Sequence, residues 1–81
     1  MAPEDLRAVF GQRVRELRLA QRLSQEELAE RADLHRNYIG GIERGERNVG
    51  ILNVGKLASA LELSIAELFG PFTQRPRRRR S

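Results

Sequence analysis

The sequence contains no cysteine, which excludes disulfides and thiolate metal sites and fits a reducing cytoplasm. Its one histidine, His35, begins a helical stretch with no companion ligands around it, so neither a metal centre nor a histidine-based catalytic set is expected. A nucleophile–base set and a phosphate-binding glycine loop are also absent. Neither an enzymatic activity nor a cofactor is therefore expected. Aromatic residues are only 5% of the chain, too few for the stacking platforms that read single-stranded RNA. No apolar run approaches the roughly 18 residues of a membrane span, and no signal-peptide core opens the chain. Strict alternation of apolar and polar residues and Asn-Gly hairpin signals are missing, which argues against strands. No internal repeat is visible.

What is present points to one small helical domain. The chain has 81 residues, 40% of them hydrophobic and 32% charged, an ordinary foldable composition. A core of this size is marginal alone, so association with a second copy would add stability. The net charge of +4 is misleading. Residues 75–80, Arg-Pro-Arg-Arg-Arg-Arg, carry five of the fifteen basic residues; without them ten basic residues face eleven acidic ones. Attraction to phosphate must come from a local patch or from this tail, not from the domain as a whole.

Helix 1 is expected over about 4–21. Pro3, Glu4 and Asp5 open it, and Leu6, Val9, Phe10, Val14 and Leu17 recur at helical spacing. Ser24 with Glu27 three residues later is a capping box, placing helix 2 over about 25–32 with Leu28, Ala29 and Ala32 inward. Asp33-Leu34-His35 makes a turn. Helix 3 runs from Arg36 to Arg44, buries Ile39 and Ile42, and stops at Gly45. Helix 4 is expected over about 51–61 with Leu52, Leu57, Ala58 and Leu61 as its apolar face. Ser64 and Glu67 form a second capping box before a short helix 5 holding Ile65, Leu68 and Phe69, ended by Gly70-Pro71. The domain is read as residues 1–72, followed by a basic, disordered tail over 73–81.

Two short helices joined by a tight turn behind a longer helix form a helix-turn-helix, about 24–44, whose second helix enters the DNA major groove. The outer face of helix 3 sharpens this. Arg36, Asn37, Gly40 and Arg44 lie away from the Ile39/Ile42 stripe. Arginine can donate two hydrogen bonds to guanine O6 and N7, and asparagine can pair with adenine N6 and N7.

Leu23-Ser24-Gln25-Glu26-Glu27-Leu28-Ala29 together with Ile42-Glu43-Arg44-Gly45 resembles the Cro/repressor, or XRE, type of helix-turn-helix, over about residues 6–69. Leu34 to Gly40, Glu43 to Val49 and Ile51-Leu52-Asn53 resemble the controller proteins of restriction–modification systems, small dimeric transcription regulators. The resemblance implies an all-α, five-helix fold and a cytoplasmic homodimer acting on a palindromic operator in double-stranded DNA, with RNA polymerase as a further candidate partner.

It also implies roles for residues. Arg36, Asn37, Tyr38 and Gly40 would lie against the bases. Gln25, Arg44, Arg47, Asn48 and Asn53 would hold the DNA backbone. Arg18 and Glu43 would form a structural ion pair, and Leu63, Ile65, Leu68, Phe69 and Phe72 would make the dimer contact. The chain departs from the common pattern at Gly41, where a larger polar residue is usual; this removes one possible base contact. Adjacent glycines inside a helix cost about 1 kcal/mol each relative to alanine. Gly40 and Gly41 read either as tolerated defects or as places where the backbone nears DNA. The Arg-rich tail reads either as an arm adding sequence-independent attraction or as solvated chain. The antitoxin of a toxin–antitoxin pair is the competing function, because such proteins use the same motif.

Overall fold

Four of the five helix starts are set by side chains that accept hydrogen bonds from otherwise unpaired backbone amides, the exception being the one after Gly50. The computed structural model of the chain describes residues 5–70. Those residues form five helices and no strand: α1 Leu6–Ala20, α2 Gln25–Ala32, α3 Arg36–Glu43, α4 Ile51–Ala60 and α5 Ile65–Leu68. None is long and apolar enough to cross a membrane.

Ser24 and Ser64 each complete a capping box, with Glu27 and Glu67 reaching back to the serine amides at 2.7 and 2.8 Å. Asp5 caps α1 by accepting from the Arg7 amide at 3.0 Å. The helix is therefore shorter than the expected 4–21; Pro3 and Glu4 lie outside the described residues. The α2–α3 turn closes through Asp33 in the left-handed region, φ 58°, which a short polar side chain tolerates better than most. Gly45 ends α3 at φ +76°.

The core lies where α3 packs against α1 and α2, α4 against α2, and α5 against α4. Val14, Leu28, Ile39, Ile42, Leu57, Leu61 and Leu68 are its fully buried large side chains, each contributing about 1.5–3 kcal/mol by leaving water. α1 and α3 cross so closely at Gly11 that a Cβ there would run into the Ile42 carbonyl oxygen. Arg13 on α1 donates to the Leu68 and Glu67 carbonyls, both at 2.9 Å, and satisfies the end of α5. The Phe10 and Phe69 rings lie 5.3 Å apart.

Two expectations about apolar residues are corrected. Leu52, placed on the inner face of α4, is 80% exposed; the first turn of α4 projects past the core, and Val54 is the buried residue there. Leu68, placed at the dimer contact, is 0% exposed within a single protomer. The capping box turns α5 so that Leu68 points into the core, leaving it nothing to present to a partner.

Candidate nucleic-acid interface

The site is built on a buried polar network that locks three helices together. Arg18 of α1 donates from Nε and Nη2 to the two Glu43 carboxylate oxygens of α3, at 2.7 and 3.0 Å. Its Nη1 donates to the Leu23 carbonyl at 2.7 Å. Both side chains are almost fully buried, at 7% and 3% exposure. Gln25, the first residue of α2, adds a donation from Nε2 to Glu43 Oε1 at 3.0 Å. A buried ion pair repays its desolvation only when its remaining hydrogen-bonding capacity is met; here the Leu23 carbonyl and the Gln25 amide do that. The network fixes the start of α2 against the end of α3.

Above this floor lies a polar groove of about 550 Å³, lined by residues that include Ser24, Gln25, Arg36, Asn37 and Arg44. Arg36 and Asn37, in the first turn of α3, are exposed. Asn37 presents its side chain from a helix start tied down by His35, whose Nδ1 accepts from the Asn37 amide at 3.0 Å. His35 thus caps the candidate reading helix, a role the sequence reading missed; a non-helical polar residue directly before a helix was the available signal. Arg36 is 3.8 Å from Glu26, with both side chains more than 60% exposed, a loose pairing that leaves the guanidinium available.

Gly40, expected among the base-reading residues, lines the floor of the same groove. It is buried beneath the side chains of Arg44 and Gln25, which lie 3.1 and 3.5 Å from where its Cβ would stand. Arg44 is exposed and donates to both Glu46 carboxylate oxygens, at 3.1 and 3.2 Å. That hydrogen bonding, followed by the charges of Arg44 and Arg47, holds the Glu46 carboxyl below its ordinary value. Tyr38 is half-buried. Its hydroxyl accepts from Asn53 Nδ2 at 3.1 Å, and the Arg47 guanidinium lies 5.7 Å from its ring centre. Asn48 is exposed in the loop after α3. Arg36, Asn37 and Arg44 therefore border one groove, while Tyr38, Arg47 and Asn53 form a second cluster beside it.

Of the remaining expected dimer residues, Ile65 is 44% exposed and Leu63 and Phe69 are partly buried against the core. Phe72 and the tail over 73–81 lie outside the described residues.

Comparisons with known proteins identify relatives of the same fold. The helix-turn-helix family profile matches residues 14–68. The chain is 48% identical over 65 residues to control protein C.BamHI of Bacillus amyloliquefaciens, covering 79% of this chain and 80% of that protein. The restriction–modification controller C.AhdI of Aeromonas hydrophila superposes with a TM-score of 0.78 at 53% identity, covering 82% of this chain and all of that one. The controller C.Esp1396I, solved as a tetramer with its natural 35 base-pair operator, superposes with a TM-score of 0.76 at 34% identity, covering 80% of this chain and 86% of that one.

Proposed function

The chain belongs to the XRE-type helix-turn-helix family and, within it, to the DNA-binding controller proteins of restriction–modification systems, and on that premise we propose that it acts as a homodimer on a palindromic operator. The observation that carries this reading is the placement of Arg36 and Asn37. Both stand exposed in the first turn of a helix whose other end is locked to α1 by a buried ion pair. Rigid support with free tips is what base reading needs, because hydrogen bonds to base edges tolerate little angular error.

Two such helices, related by a two-fold axis, would enter major grooves about 34 Å apart. Arg36 reads guanine and Asn37 reads adenine. Tyr38 packs against the sugar-phosphate chain or a flexible pyrimidine–purine step. Gln25, Arg44, Arg47, Asn48 and Asn53 hold flanking phosphates, and Leu63, Ile65, Phe69 and Phe72 meet the second copy. The chain works as a binding protein rather than an enzyme, and RNA polymerase becomes a partner where the occupied operator adjoins a promoter. The C.Esp1396I operator complex supports the DNA-bound arrangement.

The test is Arg36→Ala, assayed on operator and random duplex. The operator-to-random affinity ratio should fall by a guanine-dependent factor worth about 1–3 kcal/mol; an unchanged ratio overturns the role. Sedimentation equilibrium showing only monomer at operator-saturating concentrations overturns the homodimer.

A further inference from the structure

Gly41 is buried in the middle of α3. What covers it is Arg47. A Cβ at Gly41 would come within 3.0 Å of both Cγ and Nε of Arg47, and 3.5 Å of its Cδ. The loop after α3 therefore turns back and lays the arginine stem on the bare backbone of the helix. Tyr38 is on the same face, three residues earlier and so one turn away. Lying across Gly41 brings the Arg47 guanidinium to the face of the Tyr38 ring, 5.7 Å from its centre, a cation–π geometry. The Tyr38 hydroxyl in turn accepts from Asn53 near the start of α4. Glu46 is the charged neighbour of this cluster, and it is already engaged by Arg44.

We propose that Gly41 is a positioning residue for DNA binding: the absence of its side chain seats Arg47 on α3, so that Arg47, Tyr38 and Asn53 form one preassembled clamp. Preassembly matters because a long side chain already ordered in the free protein loses less freedom when it meets a phosphate. The same seat stops Tyr38 from swinging away from the face it presents. Gly41 thus loses the base contact a larger residue could make and strengthens the backbone grip beside it. This role rests on the DNA-binding reading above.

The chain has one tyrosine and no tryptophan, so intrinsic emission reports Tyr38 alone. Gly41→Ala, Arg47→Ala and the double variant should be compared with wild type, first as free full-length protein and then on operator and random duplex across a salt series. Alanine favours a helix over glycine, and the atoms it meets belong to a flexible side chain. Gly41→Ala should therefore melt no lower than wild type while changing Tyr38 emission in the same direction as Arg47→Ala does. Its operator affinity should fall about two- to fivefold, the factor set by an exposed cation–π contact. Arg47→Ala should weaken binding to both duplexes and make the salt slope about one unit shallower. In the Gly41→Ala background the same change should cost less.

Wild-type emission from Gly41→Ala, unchanged operator affinity, or fully multiplicative effects in the double variant would each overturn the clamp. So would a Gly41→Ala protein that does not fold, since the proposal requires Arg47, not the helix, to yield. Emission is read without DNA, so loss of operator binding by wild type itself would count against the proposed function while leaving the seat of Arg47 measured.

Discussion

Arg18 with Glu43 and Arg44 with Glu46 pair the same functional groups at similar distances, 2.7 and 3.1 Å, yet the first pair is buried and the second is more than half exposed. Burial separates their work. In the interior, removing either partner strands the other charge in a medium that cannot solvate it, so the Arg18–Glu43 pair holds α1, α2 and α3 in one geometry. At the surface, water and salt screen the attraction and the pair contributes little to stability. Its low cost of opening is useful there. On the proposed DNA-binding role, an arginine lightly held by a carboxylate is free to be surrendered to a phosphate, and the carboxylate left behind would disfavour indiscriminate contact with DNA. The Arg36–Glu26 pair, at 3.8 Å and with both side chains exposed, belongs to the second kind.

The comparison can be broken from its buried side first. Glu43→Ala should lose about 3–5 kcal/mol of stability, with α3 disordered and operator binding lost; an unchanged melting temperature and unchanged affinity would show that the pair does not hold α3. Arg36→Ala, on the exposed side, should leave the melting temperature nearly unchanged while collapsing operator discrimination. A large thermal shift there would mean that Arg36 is structural.

Truncation after Gln74 removes the five basic tail residues. Affinity for every duplex should fall and the salt slope should become shallower; identical slopes would assign the tail no contact with DNA. Glu46→Gln should release Arg44 and raise affinity for random duplex more than for operator, with little change in stability. An unchanged operator-to-random ratio would remove the restraining role given to Glu46.

The smallest effect is one of pH. The Ser24 amide, then the Ser24 hydroxyl, hydrogen-bond to Glu27 and hold its carboxyl below the ordinary value of 4.5. The folded state therefore binds fewer protons than the unfolded state around that value. The contribution is present above about pH 4.5 and is lost as pH falls through the lower folded-state value. In Glu27→Gln the amide cannot titrate, so the melting temperature should decline less between about pH 6 and about pH 3, the range over which carboxylates titrate, than in wild type. Parallel declines would remove the Ser24–Glu27 box as a source of acid sensitivity.

Much of this molecule was legible in short windows of sequence. Serine caps with glutamate three residues later placed the starts of α2 and α5, and apolar periodicity placed Leu28, Ile39, Ile42 and Leu57 inward. The absence of cysteine and the concentration of positive charge beyond residue 74 were equally plain. These features depend on neighbours within about one or two helical turns, and forces at that range are written into local spacing.

Other features depended on what a distant segment supplies. The outward turn of Leu52, the inward turn of Leu68, the close crossing at Gly11 and the cover over Gly40 are set by partners elsewhere in the chain or by how far a helix extends past the core. Arg13 meets α5 across more than fifty residues of chain, and no local pattern announces such a meeting. Arg47 could be read from sequence as a basic residue in a loop. That it lies on Gly41 and faces Tyr38 was decided only by the return path of that loop, because a side chain's partner is chosen by where the backbone carries it.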